Sequence, residues 1–205
     1  MKRALVLAAA LAASGAAQAA GIGIKAGTTG VGADVAFGVA PTLDARLGYS
    51  ALNWGYDVKT SSNVSYDGDV KLSNLNALLD FHPLGPVFRI TGGVIFNANK
   101  YEATGHPSTG PGSFNAKVES GKSAAPYLGI GWGNVAGAGV NLYADLGVMF
   151  MGEPKATLSA NCAGLTGLEC STLQSQTAAE QARLQDELKR FKAYPVLSIG
   201  VTIGF

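Results

Sequence analysis

Six charged side chains are the residues of this sequence best able to act together. They fall on the polar side of segments in which apolar and polar residues alternate, and they are Lys25, Asp34, Arg46, Asp80, Arg89 and Asp145. Three are basic and three are acidic, so they can pair with one another as buried ions. The same set can bind a small zwitterion, whose two charges exchange with such pairs. Both interpretations require the six side chains to lie on one surface. Whether they do so depends on the secondary-structure elements that carry them.

Cysteine, histidine and serine residues offer other chemistry, but their spacing does not favour it. Cys162 and Cys170 are eight residues apart with no histidine nearby, which favours a disulfide over a metal-binding or catalytic pair. A nucleophilic triad would need His106 with Ser108 or Ser113, and nothing in the sequence fixes a carboxylate beside them. We therefore predict that the protein is not an enzyme and holds no metal ion or cofactor.

Residues 1–19 are predicted to be a cleaved secretory signal peptide. They begin with the basic pair Lys2-Arg3, continue with an apolar stretch over 4–13 and end in the small-x-small sequence Ala17-Gln18-Ala19. Cleavage leaves one domain, residues 20–205, with 13 basic and 14 acidic residues. A nearly neutral chain has no electrostatic basis for binding nucleic acid. Export also places the two cysteines in an oxidising compartment.

The composition excludes a helical membrane protein and a disordered chain. Hydrophobic residues make up 47% of the chain and charged residues 14%, with 28 glycines and a mean hydropathy of +0.20. Beyond the first twenty residues, no apolar run approaches the roughly 18 residues that a transmembrane helix needs. The glycines weaken helices, and the apolar content is too high for disorder. An apolar, glycine-rich β protein remains.

The alternation of residues predicts β-strands along the whole domain. Residues 194–205 place a large apolar side chain at every second position, with small polar residues or glycines between. Similar patterns occur at 22–27, 31–39, 43–51, 74–81, 88–97, 127–133 and 141–150. About eight strands result, an even number that can close a small barrel.

The composition of the two strand faces favours a barrel in a membrane. Glycine, asparagine and serine dominate the polar face, which suits a crowded interior, while the other face is continuous and aliphatic. Aromatic residues lie towards both ends of that face, with Phe37, Phe81, Phe88, Trp132 and Phe205 at one end and Tyr49, Tyr101 and Phe150 at the other. Such girdles are typical of a lipid-facing band. We predict an all-β, eight-stranded antiparallel transmembrane barrel; the alternative is a soluble sandwich or lipocalin-like barrel.

The connections between strands differ in length at the two ends. Short connections are expected at 40–42, 82–87 and 134–139, and long ones at 57–69, 102–122 and 154–193. Short periplasmic turns with long external loops are typical of outer-membrane barrels. A tight external hairpin at 28–31, with Gly30 in its turn, is the exception.

The last external loop contains the single helix predicted for the domain. Thr177 and Glu180 have the spacing of a capping box at its start. Two ion pairs are expected along it, Arg183–Glu187 and Asp186–Arg190. The helix is expected either to pack on the rim of the barrel or to act as a lid over the lumen.

Placed on this barrel, the six charged residues face the lumen. A symmetric turn between the fourth and fifth strands puts Asp80 opposite Arg89 and Phe81 opposite Phe88. The interior of an eight-stranded barrel is only just wide enough for side chains. Internal ion pairs that plug the lumen are therefore favoured over a polar path for a zwitterion.

Several motifs carry a resemblance to a known family. They are residues 27–32 (GTTGVG), 47–50 (LGYS), 125–131 (APYLGIG), 152–155 (GEPK), the charged helix and the terminal strand 194–205. Together they resemble the ornithine-uptake, carbapenem-resistance-associated outer-membrane porin family. The chain differs in ending in Phe205 rather than Trp and in its Cys162/Cys170 pair. The resemblance implies an eight-stranded outer-membrane barrel linked to the passage of small basic or zwitterionic amino acids.

These observations together predict an outer-membrane protein that contacts lipid and passes small zwitterionic or basic amino-acid-like solutes through a narrow lumen. The alternative is a closed structural or surface-interaction barrel that acts through its extracellular loops.

Overall fold

The computed structural model describes residues 19–60, 64–107 and 112–205. Its elements are β1 (Ala20–Gly27), β2 (Gly30–Ala40), β3 (Leu43–Thr60), β4 (Val64–Phe81), β5 (Phe88–Asn97), β6 (Lys100–Pro107), β7 (Ser113–Glu119), β8 (Ala124–Trp132), β9 (Gly139–Met149), β10 (Lys155–Asn161), α1 (Gly167–Leu188) and β11 (Tyr194–Gly204). The predicted signal peptide, residues 1–19, lies outside these ranges except for Ala19.

Eight of the strands close into a ring. Its order is β1, β2, β3, β4, β5, β8, β9 and β11, and every pairing is antiparallel, including the closing pair of β11 with β1. The predicted all-β, eight-stranded antiparallel barrel is confirmed. Closure satisfies the backbone hydrogen bonds of both edges, which is the condition for strands to cross a lipid bilayer.

The outward side of the ring carries the predicted apolar belt. Its aliphatic side chains are exposed, among them Ile24, Leu47, Leu75, Leu128, Leu146 and Ile199. Exposed aromatic residues flank the belt, with Phe37, Phe81, Trp132 and Phe205 near the short-turn end and Tyr49, Phe96 and Phe150 near the long-loop end. A contiguous apolar surface of this extent is not stable against water and marks contact with lipid or with another protein.

The three regions expected as long loops contain strands, so that prediction was wrong. β3 and β4 are 18 residues each and pair over their full length, well beyond the barrel. Residues 74–81 of β4, the half within the barrel, pair with β5. Residues 64–71, the upper half beyond the barrel, pair with β6. An outer sheet of order β3, β4, β6, β7, β10 results. The alternation does continue through Leu52, Trp54 and Tyr56, but polar residues occupy the other face, so the lipid-facing pattern ends there.

The hairpin between β1 and β2 is as tight as predicted. Gly30 has a φ of +106°, and a Cβ at this position would lie 2.6 Å from the carbonyl of Ala51. Only glycine combines this backbone conformation with so close an approach of the neighbouring strand. A single glycine therefore allows this two-residue connection at the long-loop end.

The helix α1 has its N-cap eleven residues earlier than predicted. Its N-cap is Thr166, whose side chain and backbone form a capping box with Glu169, whereas Thr177 lies inside the helix and donates to the carbonyl of Leu173. The same Thr-x-x-Glu spacing occurs at both places. The residues between them are helical, so the box at Thr166 caps the helix and Thr177 is an interior residue. Among the described residues, no helix is long and apolar enough to cross a membrane.

Ion pairs along α1 follow its observed end. Arg183 pairs with Glu187 at 3.6 Å, as predicted. Asp186 pairs with Lys189 at 3.0 Å instead of with Arg190, because the helix ends at Leu188 and Arg190 lies outside its last turn.

The predicted disulfide is confirmed. Cys162 and Cys170 are bonded, with their Cα atoms 5.3 Å apart. The bond ties the segment after β10 to the first turn of α1 and encloses the capping box. The disulfide and the capping box therefore both stabilise the N-terminal end of α1.

We predict that the disulfide stabilises the start of α1 and leaves the barrel unaffected. Replacing both cysteines (Cys162→Ser, Cys170→Ser) should lower the local unfolding free energy of the first helical turns by about 2–3 kcal/mol, because the open chain regains conformational entropy. Amide hydrogen exchange measures this, with the barrel strands as internal control. Unchanged exchange in residues 167–176 of the double variant would contradict the prediction.

Candidate functional site

The charged residues singled out in the sequence are all inside the barrel. Each comes from a different strand, in the order β1, β2, β3, β4, β5 and β9, and all are at most 9% exposed: Lys25, Asp34, Arg46, Asp80, Arg89 and Asp145. Alternation places one inward side chain from each strand at a similar height. The ring therefore gathers six charges into one cluster.

Arg46 is the centre of this cluster. Its guanidinium nitrogens lie 2.7 Å from an Asp145 oxygen, 3.0 Å from an Asp80 oxygen and 3.9 Å from an Asp34 oxygen. The residue itself is 2% exposed. One cation thus faces three carboxylates from three other strands.

Two further cations balance the charge. Lys25 Nζ lies 2.7 Å from Asp34 Oδ1 and donates to Asn76 Oδ1 at 2.8 Å. Arg89 Nη2 donates to Asp145 Oδ1 at 2.6 Å. Three cations therefore meet three carboxylates, and the attraction between them offsets the desolvation cost of burying these ions.

Tyr143 completes the cluster and was missed in the sequence. Its hydroxyl donates to Asp34 Oδ2 at 2.6 Å. The guanidinium carbons of Arg46 and Arg89 lie 5.6 Å and 5.3 Å from the centre of its ring, within range of a cation–π interaction. The alternation of β9 does turn Tyr143 inwards, but a neutral side chain gives no charge signal from which a partner can be inferred.

The register of β4 and β5 corrects one prediction. Asp80 lies opposite Thr91, whose hydroxyl donates to it at 2.5 Å, and not opposite Arg89. The predicted Phe81–Phe88 pairing is wrong for the same reason: the turn is centred between Gly85 and Pro86, one residue later than expected. Arg89 still reaches Asp80 diagonally, with Nε 3.5 Å from a carboxylate oxygen.

An apolar layer fills the lumen on the long-loop side of the cluster. It consists of Leu78, Ile95, Ala125, Tyr127, Met149 and Val196. Beside it lies a cavity of about 20 Å³, walled in part by Thr29, Ser50, Asn74 and Ser198. That space holds about one water molecule. The sequence shows these residues facing inwards, but not that they meet across the lumen.

The connection between β8 and β9 closes the short-turn end. Val135 and Ala136 are buried and pack with Ala36 and Tyr143. A Cβ at Gly21 would lie 2.1 Å from the carbonyl oxygen of Val135, so the connection rests directly on β1. In the sequence this segment has only the composition of a short turn, and its inward fold was missed.

Arg89 links this closing segment to the charge cluster. Its Nη1 donates to the carbonyl of Gly133, while Nη2 holds Asp145. The Arg89 side chain therefore connects the closing segment to the charge cluster, which are neighbouring layers inside the lumen.

The outer sheet also reaches over the barrel mouth. Tyr101 on β6 interacts with Tyr194 on β11, whose hydroxyl donates to the carbonyl of Thr28 at 2.7 Å, and β11 stands opposite β4 in the ring. Burial and the Tyr194 hydroxyl together raise the pKa of Tyr101 to about 12. The strand next to β4 thus contacts the far wall of the barrel.

The residues considered for catalysis are not assembled into a site within the described ranges. Ser108 and the side chain of His106 lie outside the described residues, and Ser113 is buried at the start of β7. His82 Nε2 lies 2.9 Å from an Asp44 oxygen at the short-turn end. In the part of the chain that the structure describes, no three His, Cys, Asp or Glu side chains are grouped to hold a metal ion.

We predict that Arg46 is indispensable to the stability of the barrel. Arg46→Met should cost about 3–5 kcal/mol, because it leaves three buried carboxylates with two cations. The double variant Arg46→Met, Asp145→Asn should recover part of that loss. Urea unfolding in detergent, followed by the different gel mobility of unboiled and boiled protein, gives the values.

The exposed pair Lys71–Glu102, at 2.7 Å, provides the matched control. Lys71→Met should cost less than about 1 kcal/mol, since exposed pairs are screened by water. A loss for Arg46→Met as small as that for Lys71→Met would show that the cluster contributes little.

Comparison with known proteins supports the fold. No protein-family model matches the chain, and no curated protein sequence is significantly similar to it. The crystal structure of CarO from Acinetobacter baumannii is 20% identical, covers 92% of this chain and 98% of its own, and superposes with a TM-score of 0.66. CarO2 from the same organism is 19% identical, covers 91% and 98%, and gives 0.65. The resemblance to the carbapenem-resistance-associated barrels is thus confirmed at the level of the fold.

Proposed function

We propose that the protein is a non-enzymatic outer-membrane barrel that is closed to solutes and acts at the cell surface through its outer sheet and helix. The filled lumen carries this proposal. Three layers follow one another along the axis: the apolar layer around Leu78 and Met149, the charge cluster around Arg46, and the inward connection with Val135. The cavity between the apolar layer and the charge cluster, lined by Leu78, Arg46 and Asp145, has the space of about one water molecule.

The outward surface supports the placement in a membrane. The ring has no free strand edge, and its exposed side is an aliphatic belt between two aromatic bands. Together with the expected signal peptide over residues 1–19, this favours export to the outer membrane. The short turns then face the periplasm, and the outer sheet and α1 face the exterior.

The outer sheet is built as a two-sided platform. Its inner face continues the lumen side of β3 with Leu52, Trp54 and Tyr56, whereas its outer face is charged. Trp54 is 63% exposed. An aromatic side chain of that exposure, held on a rigid strand, is a typical contact residue for a partner.

The helix α1 protects the edge of this platform. Gln185 Oε1 accepts from the backbone of Ala156 at 2.9 Å, and its Nε2 donates to the carbonyl of Pro154. Gln181 accepts from the backbone of Leu158 at 2.8 Å. The two glutamines occupy the hydrogen bonds of β10 that another strand would otherwise take. We therefore place α1 beside the sheet and not across the lumen.

A second candidate is slow passage of small zwitterionic or basic amino-acid-like solutes. The observation that favours it is the polar wall of Thr29, Ser50, Asn74 and Ser198, which leads to the Lys25–Asp34 pair. The carboxylate and ammonium groups of such a solute match that pair. Passage also requires the segment around Val135 to move.

Solute flux into proteoliposomes distinguishes the two candidates. We expect glycine and ornithine to enter no faster than into empty liposomes, because the lumen is filled. A general porin reconstituted in the same way is the positive control. Flux above the empty-liposome rate that falls with Asp34→Asn would overturn the closed-barrel proposal and support passage.

A further inference from the structure

The strand register sorts the charges on the outer face of the outer sheet into rows. Residues that are directly opposite on neighbouring strands share a face and a height. The row nearest the barrel is Asn53, Lys71, Lys100, Glu119 and Lys155, the next is Gly55, Asp69, Glu102, Lys117 and Thr157, and the third is Asp57, Asp67, Thr104, Asn115 and Ser159. The formal charge falls from basic in the first row to acidic in the third.

Lysines exceed acids in the row nearest the barrel. Lys71 and Lys100 are 49% and 45% exposed. Lys71 pairs with Glu102 of the second row at 2.7 Å, and Glu119 is shared between Lys100 at 3.7 Å and Lys117 at 3.1 Å. Lys155 is exposed and makes no ion pair within the described ranges. The internal pairs therefore leave uncompensated positive charge at this height.

This row lies just above the apolar belt. Lys71 is four residues from Leu75, which pairs with Tyr49 and with the exposed Phe96 of the upper aromatic band. Four residues of a strand tilted by about 40° rise about 10 Å. The headgroup layer extends about 5–8 Å beyond the hydrocarbon core, so the row lies at the outer side of this layer, and flexible lysine stems can bend down to it.

Lys122 extends the same band around the barrel. It is exposed and lies two residues from Ala124, which pairs with Phe96. It lies in the connection between β7 and β8, at the long-loop end of the apolar belt. We define the basic band as Lys71, Lys100, Lys122 and Lys155.

We propose that the basic band binds the phosphorylated headgroups of lipids in the outer leaflet. The inference rests on the membrane placement proposed above. Its basis is the continuity of the band with the apolar belt and its charge complementarity to phosphate. The acidic third row lies on the same face but farther from the barrel, so the basic edge of the outer sheet is the one next to the bilayer.

Thermal unfolding in vesicles of defined composition tests this. Wild-type protein is reconstituted into phosphatidylcholine vesicles with increasing fractions of bisphosphorylated lipid A, of the same lipid dephosphorylated, or with inorganic phosphate in the buffer. The readout is the temperature at which the unboiled gel mobility is lost. We expect only the phosphorylated lipid to raise it, and high salt to reduce the effect.

A matched pair of double variants locates the site. Lys71→Gln, Lys100→Gln should raise the lipid fraction needed for half of the effect about tenfold. Lys117→Gln, Arg183→Gln removes the same charge, leaves Glu119 with one of its two lysines and removes the cation paired with Glu187, and it should behave as wild type. Equal behaviour of the two variants would overturn the proposal.

The wild-type comparison decides the question even where a variant does not fold. The same stabilisation by dephosphorylated lipid or by inorganic phosphate alone would also overturn the lipid proposal. A chain that stays soluble and does not insert into plain phosphatidylcholine would instead contradict the membrane placement. The two failures are therefore distinguishable.

Discussion

Three carboxylates are buried in a barrel lumen that is only as wide as the side chains that fill it. The rest of this structure depends on that constraint. An eight-stranded ring cannot solvate buried charges with bulk water, so Asp34, Asp80 and Asp145 need their counter-charges from the ring itself. Arg46 supplies the shared one, with contacts to all three. Lys25 and Arg89 then neutralise the remainder, and each of the six comes from its own strand. The cluster therefore joins six of the eight barrel strands across the lumen.

The alternation of apolar and polar residues is sufficient to predict the ring of strands and the inward position of its charged residues, because both follow from alternation alone. Each lumen-facing residue is known once its strand is known, and so the six charged residues were found. The Asp80–Arg89 register failed because it depends on where a turn is centred, and Gly85 and Pro86 shift that centre by one residue. Periodicity carries no information on such a shift. Only the contacts across the ring select it.

The segments that cover the two ends of the barrel could not be predicted from the sequence. The reason is a different one. Val135 and Ala136 occupy a short segment whose inward fold depends on the space left between β1 and Tyr143. The strands of the outer sheet depend in the same way on pairing partners far along the chain, as β4 changes its partner from β5 to β6 within one strand. The composition of a sequence describes its residues one at a time, whereas the closing segment and the outer sheet depend on which residues contact one another.

Continuity of β3 and β4 through both parts of the molecule connects the barrel to the surface it presents. The lower halves carry Arg46 and Asp80, and the upper halves carry Trp54 and Lys71. A strand cannot rotate in one half and stay in register in the other, so the buried cluster sets the orientation of the exposed rows. Opening the lumen by rearranging Arg46 would disturb the sheet above it, because the two share a backbone. This coupling favours a closed barrel whose interior serves as the rigid foundation of its outer sheet.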